Sequence, residues 1–243
     1  DQYEWVILPD CACLSDESAR ALTQYVKKGG NLLSTFDTGF YHPDGSPAEM
    51  PKLAQIQGIQ RAVETVKAEI PGMCYQMLGD SSFFDGLYGD LIPAPRLAVR
   101  CQPLPKAEVL STALEPMASC YAPLPQTGYP GILRTKVGKG QSIYCSGAFG
   151  LAYSERAFPE FARIITNMGK ELSSPLFTTN APESVETVLR RQDDRYILHL
   201  INLTGEMIRP IRQILPLENL RFTFPKGVVQ APYALRGGRL ETV

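Results

Sequence analysis

The chain has 243 residues, 44% of them hydrophobic, with 24 Lys and Arg against 25 Asp and Glu for a formal net charge of −1. That balance supplies no field for nucleic acid or an anionic membrane surface, and no apolar run approaches the roughly 18 residues of a membrane-spanning helix. The length allows one large core or two smaller ones, and 20 Gly and 20 Pro punctuate the chain without biasing any segment toward disorder.

Trp5-Val-Ile-Leu8, closed by Pro9, is a short apolar run expected to be a strand buried on both faces. Ser15 or Asp16 can cap the helix that follows, with Glu17 in its first turn; Ala19, Leu22, Tyr25 and Val26 carry its apolar stripe. Lys27 and Lys28 suit its carboxyl end and Gly29-Gly30 stops it. Leu32 to Phe36 is a second strand, and the crossover makes the two parallel. Farther on, Lys52 to Gly58 resembles a short helix with a glycine stop and Arg61 to Lys67 alternates as a strand. Ser81 to Asp90 is aromatic and turn-rich, suited to loop packing, a subunit contact or stacking on a sugar ring.

Leu97–Cys101 and Ala107–Thr112 read as strands, and Gly131–Val137 pairs with Gln141–Cys145 as a hairpin across Gly138-Lys139-Gly140. A helix is expected from about Arg156 to Leu172, then a Ser173-Ser174-Pro175 linker. Beyond it the pattern alternates in strand fashion through Val185–Arg191, Arg195–Asn202 and Leu220–Phe224, which predicts a small antiparallel β domain over 176–243. His199 falls on one face of such a strand as a structural residue. The start at Asp1, with no initiator Met or signal segment, and the strand-like Leu240–Val243 together suggest a piece of a longer protein lacking earlier domains.

Six cysteines, Cys11, Cys13, Cys74, Cys101, Cys120 and Cys145, are expected to be free and mostly buried in a reducing, cytoplasmic compartment. Cys11-Ala12-Cys13 is too tight for a zinc knuckle and no His completes a ligand set, so neither metal nor cofactor is expected. Cys11 lies just beyond the first strand and is the one thiol placed for redox or nucleophilic chemistry.

In open parallel sheets, ligands gather beyond the carboxyl ends of the strands, here Asp37-Thr38-Gly39-Phe40-Tyr41-His42. Asp37 and His42 are acid-base candidates, Thr38 a polar contact and Tyr41 a stacking surface; His42-Pro43-Asp44-Gly45 is equally a good exposed turn. Hydrolysis of a glycosidic bond takes two carboxyl groups about 5 to 9 Å apart, and nothing in the sequence pairs two among Asp10, Asp37, Asp80, Asp85 and Asp90.

Val6 to Asp10, Leu14-Ser15-Asp16, Tyr25 to Gly30, Leu33 to Gly39 and Gly138 to Gly147 together resemble the class I glutamine amidotransferase-like domain in the middle of family 42 beta-galactosidases and related glycoside hydrolases, known there as the trimerisation domain. The similarity covers roughly residues 1 to 175 and implies a flavodoxin-like α/β fold with a parallel sheet and flanking helices, followed by a β-sandwich-like domain. True amidotransferases of this fold attack glutamine with a Cys held between glycines and activated by a His-Glu pair. No cysteine here has Gly two residues before and two after, and no His-x-Glu triplet occurs, so the resemblance implies a fold that has lost that chemistry.

The catalytic acids of such glycosidases lie on a barrel domain preceding this region. The expectation is therefore a homo-oligomerising, non-catalytic accessory region of a hydrolase, without nucleic-acid or membrane partners; the alternative is a carbohydrate-binding or hydrolytic module working through residues 37–42.

Overall fold

The computed structural model describes residues 3–69, 73–119, 121–206, 210–228, 233–236 and 239–242, so Cys120 and Val243 lie outside the described residues. The chain divides into two compact units, Asp1–Ser174 and Pro175–Val243. No helix among the described residues is long and apolar enough to cross a membrane.

The first unit opens with β1 (Trp5–Leu8), α1 (Asp16–Lys27) and β2 (Asn31–Thr35). The two strands pair in parallel, Trp5 opposite Asn31 through Leu8 opposite Ser34. Ser15 caps α1 by accepting the Ser18 amide at 3.0 Å, and Ala19 and Val26 turn its apolar stripe inward. There follow α2 (Ala54–Gln57), β3 (Ile59–Lys67), β4 (Tyr75–Leu78), β5 (Leu91–Pro93), β6 (Leu97–Pro103), β7 (Glu108–Leu114), β8 (Gln126–Val137), β9 (Gly140–Cys145), α3 (Phe149–Arg156) and α4 (Pro159–Leu172). Gly58 ends α2 in the left-handed conformation at φ 80°.

Seven strands make one sheet in the order β1-β2-β9-β8-β7-β4-β5, and β3 with β6 forms a separate antiparallel ribbon. This is an α/β fold, but parallel pairing is confined to β1, β2 and β9; the remaining pairs are antiparallel, so the sheet is mixed where a parallel one was expected. Connection length is the reason. β8 and β9 are joined only by Gly138 and Lys139, and a turn that short can return the chain only antiparallel.

β1 departs from expectation as well. It is an edge strand, and Ile7 remains 44% exposed, so the face that carries Ile7 is not covered and the strand is not buried on both faces. The helix expected from about Arg156 to Leu172 is α4, which begins at Pro159, and a separate short helix, α3, precedes it. Ala157 takes a left-handed φ of 49°, and Pro159 starts α4 at its first turn, where its missing N–H costs nothing.

α4 sets Phe161, Ile164, Met168 and Leu172 into a core with Leu33, Ile132 and Ile143 of the central strands. Its Asn167 Nδ2 donates to the carbonyls of Phe83 at 3.1 Å and Asp85 at 2.9 Å, tying down the aromatic segment. Phe83 and Phe84 are accordingly core residues, while Tyr88 in the same segment is 99% exposed.

The second unit consists, among its described residues, of two-stranded antiparallel pairings: β10 (Thr178–Thr179) with β13 (Phe222–Thr223), β11 (Val185–Gln192) with β12 (Arg195–Asn202), and β14 (Tyr233–Arg236) with β15 (Arg239–Thr242). The strand expected over Leu220–Phe224 is thus only two residues long. Phe177 packs against Phe222 and Phe224 at ring separations of 5.9 and 5.5 Å. His199 is exposed on β12, opposite Val188.

The β8–β9 turn sits directly on the end of α1. A Cβ at Gly140 would fall 2.2 Å from the Gly30 carbonyl oxygen and 2.4 Å from that of Val26. Gly140→Ala is therefore expected to destabilise the protein by about 3 kcal/mol through backbone displacement, read as a lowered urea midpoint. Gly45→Ala, with open space around it and only its φ of +82° to strain, is expected to cost about 1 kcal/mol.

Candidate functional site

Beyond the carboxyl ends of β1 and β2, two chain segments are knitted together. Gly39 N–H donates to the Cys11 carbonyl, Tyr41 N–H to that of Ala12 and Leu14 N–H to that of Tyr41, all at 3.0 Å. The loop at 37–42 is thus a paired extension of the sheet edge. Thr38, fully buried, organises it: its hydroxyl accepts the Cys11 amide at 3.1 Å and donates to the Thr35 carbonyl at 2.7 Å. Below it, the buried Gln57 donates through Nε2 to the Thr38 carbonyl at 3.1 Å and to Ser34 Oγ at 3.3 Å.

Asp10 and Phe36 close their strands with left-handed φ of 49° and 48°, an uncommon conformation for residues with a Cβ. Both are pinned. The Asp10 carboxylate accepts the Thr35 hydroxyl at 2.5 Å while its amide donates to Thr35 Oγ1 at 3.0 Å. Phe36 donates to the Cys145 carbonyl at 2.9 Å and accepts the buried Tyr144 hydroxyl at 2.7 Å. Burial pushes the Tyr144 phenol well above its ordinary range, so it acts as a fixed donor.

Asp37 is half-buried at the edge of this arrangement. Burial, then the neighbouring Asp10 carboxylate, raises its pKa, which favours its protonated form. The same influences act on Cys11: burial first, then Asp10 and Asp37, raise its thiol. A thiol held up by carboxylates stays protonated at neutral pH, the opposite of what a nucleophile needs. Cys145, at the end of β9, is fully buried and raised further still by burial, and burial pushes Cys101 to about 12.

The other sequence-derived candidates sit apart from this pair. Tyr41 is 36% exposed, its ring available as a flat surface. His42 heads an exposed turn in which its amide donates to the Ser46 carbonyl at 2.8 Å and its carbonyl accepts from Gly45 at 2.9 Å. No hydrogen bond or ion pair links His42 to Asp37 among the described residues; the charges that feel His42 are Asp16 and Asp44. The structure thus brings Asp10, Cys11, Asp37 and Thr38 together and leaves Tyr41 and His42 on the rim. Among the described residues no group of three or more His, Cys, Asp or Glu side chains is placed to hold a metal ion.

Thr35 and Gln57 are the site residues that sequence reading missed. Thr35 sat inside the strand assignment, one residue before its end, where a hydroxyl can reach across to the adjacent strand. Gln57 had no local signal, since its partners are 19 and 23 residues away.

No known family profile matches the sequence, and no curated protein matches it. Its fold does recur in solved structures. Over 84% of this chain it superposes on the beta-galactosidase of Bacillus circulans sp. alkalophilus with a TM-score of 0.65 and 24% identity, covering 28% of that protein. Gan42B, a GH42 beta-galactosidase from G. stearothermophilus, gives 0.62 and 19% over 84% of this chain and 27% of its own. The alpha-L-fucosidase isoenzyme 2 of Paenibacillus thiaminolyticus gives 0.62 and 16%, covering 99% of this chain and 39% of that one. The fold is therefore that of a part of larger glycoside hydrolases, and the chain spans well under half of each.

Two outcomes test this geometry. Thr38→Val strands the Cys11 amide without its acceptor and is expected to cost about 2 kcal/mol in denaturant unfolding. Folding raises the Asp37 carboxyl, so the stability linked to its proton is present below the unfolded carboxylate range, about pH 4, and is lost as pH rises through the folded value. Asp37→Asn should therefore raise the melting temperature at pH 7 and leave it nearly unchanged at pH 3; an equal shift at both would contradict the assignment.

Proposed function

We propose that this chain is a non-catalytic accessory region of a larger glycoside hydrolase-like protein, an amidotransferase-like domain without the ancestral nucleophile followed by a C-terminal β domain. It acts through interfaces, by self-association and by walling off an active site carried on a separate barrel domain. The observation that carries this reading is the fold likeness, which is confined to 27–39% of each glycosidase while taking in most of this chain. The state of the thiols supports it: Cys11 and Cys145 lie beyond or at the ends of parallel strands, where a nucleophile would sit, and both are held protonated. The parallel core of β1, β2 and β9 is what the reading takes as the remnant of the amidotransferase sheet.

The surface offers apolar groups for association. Tyr88 is 99% exposed and Leu91, on the edge strand β5, is 42% exposed. Unpaired edges with apolar side chains are natural joining surfaces. Light scattering across a concentration series should give a closed oligomer, and Tyr88→Glu combined with Leu91→Glu should shift it toward monomer by at least tenfold in concentration. A wild-type chain that stays monomeric at high concentration would count against self-association.

A second reading, a carbohydrate site at residues 37–42, is favoured by the raised Asp37 carboxyl beside Asp10 and the exposed Tyr41 ring. It requires Asp37→Ala together with His42→Ala to abolish sugar binding in calorimetric titration, and unchanged binding would end it.

A further inference from the structure

The hairpin of β11 and β12 has eight residues on each strand, and among the described residues no third strand pairs with either. Tyr196, Ile197, Leu200 and Ile201 of β12 are exposed, and alternation divides them between the two faces. A lone two-stranded ribbon is marginal in water; further strands are what ordinarily make it stable.

Its outer edges differ. Asn202 Nδ2 donates to the Leu215 carbonyl at 2.7 Å and Leu215 N–H to the Thr204 carbonyl at 2.8 Å, so a returning segment lies against the end of β12. Beside the β12 ladder, the backbone of β11 makes only a local bond among the described residues, from Val185 N–H to the Pro182 carbonyl at 2.9 Å. Leu203 N–H donates to the Ser184 carbonyl at 2.9 Å, and the register continues with Val185 opposite Asn202. Even-numbered residues from Ser184 onward therefore turn their backbone groups toward β12, while Thr187, Leu189 and Arg191 turn theirs outward. Val185–Gln192 has no Pro, no Gly and no register shift, whereas β3, also unpaired on its outer side, carries shifts at Ile59/Arg61 and Ala62/Glu64 of the kind that blunt an edge.

The same strand carries matching charges. Glu186, Val188 and Arg190 share one face of β11. Glu186 and Arg190 are exposed, their cross-strand neighbours are Ile201 and Ile197, and neither forms an ion pair among the described residues. Laid antiparallel about a two-fold axis through Val188, two copies of β11 set Thr187 opposite Leu189 of the partner subunit, with outward backbone groups on both. Glu186 then stands opposite Arg190 of the partner subunit on either side of the axis. No other two-fold register of this strand brings those opposite charges face to face.

We infer that β11 is a joining edge between two copies of this chain, which makes a continuous antiparallel sheet in the order β12-β11-β11-β12 with Val188 on the axis and an ion pair of Glu186 with Arg190 on each side. The inference rests on the self-association proposed above and assigns it a contact on the second unit, separate from the Tyr88 and Leu91 surface.

Val188→Cys in the full chain, treated with a mild thiol oxidant and run on a non-reducing gel, tests the register, because cysteines on the axis come within reach of a disulfide. Expected is a covalent dimer roughly tenfold above the level given by the wild-type chain, whose exposed Cys13 sets the background, and by Arg190→Cys, which lies off the axis. Thr187→Pro, added to Val188→Cys, removes an outward N–H and no bond to β12, so the dimer should fall to background with circular dichroism unchanged. In light scattering Glu186→Arg should weaken association roughly tenfold, and Glu186→Arg with Arg190→Glu should restore it. The disulfide should persist when Tyr88→Glu and Leu91→Glu are added. Its loss there, a disulfide no better at 188 than at 190 or indifferent to Thr187→Pro, or a charge swap without rescue would each overturn the inference. Oligomers without a disulfide at 188 would overturn it and leave self-association standing; a chain that never associates would overturn both.

Discussion

The first unit depends on how closely the β8–β9 turn approaches the carboxyl end of α1. Lys139 N–H donates to the Lys27 carbonyl at 3.0 Å, and Gly138 and Gly140 lie where any side chain would meet the backbone of residues 26 to 30. That contact lets β9 run parallel beside β2, Asn31 opposite Gln141 through Thr35 opposite Cys145. Because β9 lies there, Ile143 joins Leu33 under α4, and the buried Tyr144 reaches the carbonyl of Phe36. The same glycines therefore support both the core and the strained strand end beside which the acids are gathered.

At that strand end, hydroxyls and carboxylates are arranged for rigidity more than for nucleophilic attack. Thr35 and Thr38 each use a hydroxyl to join segments about 25 to 30 residues apart. Asp10 is consumed by Thr35, and Asp37 is pushed toward its protonated form by burial and by Asp10. With two carboxyl groups close by, a thiolate at Cys11 would be repelled. An electrostatic setting of this kind works against a thiolate nucleophile.

The sheet interior is polar at particular places. Thr135 and Ser142 are fully buried opposite one another on β8 and β9, and Gln76 and Ser111 meet across β4 and β7. Of these, Gln76 Nε2, Thr135 Oγ1 and Ser142 Oγ lack a hydrogen-bond partner among the described residues. Such groups weaken a core unless something meets them.

Local pattern in the amino-acid sequence was enough to determine the opening strand, helix and strand, the α2 glycine stop, the β8–β9 hairpin and the strands at β3, β6, β7, β11 and β12. Each is a short-range consequence of apolar period, capping chemistry and turn residues, which act within a few positions. β4 and β5 were not legible, since Tyr75–Leu78 and Leu91–Pro93 are too short to show alternation and are held by partners elsewhere in the sheet. α3 was not legible either, being an eight-residue helix of which only Phe149 and Ala152 are buried. Direction within the sheet, the exposed outer side of β1, the division of the aromatic segment into core Phe83 and exposed Tyr88, and the gathering of Asp10, Cys11, Asp37 and Thr38 were all decided by the tertiary structure. These are contacts between residues distant along the chain, and their energies depend on burial and neighbouring charge, quantities that come into being only when the strands have paired.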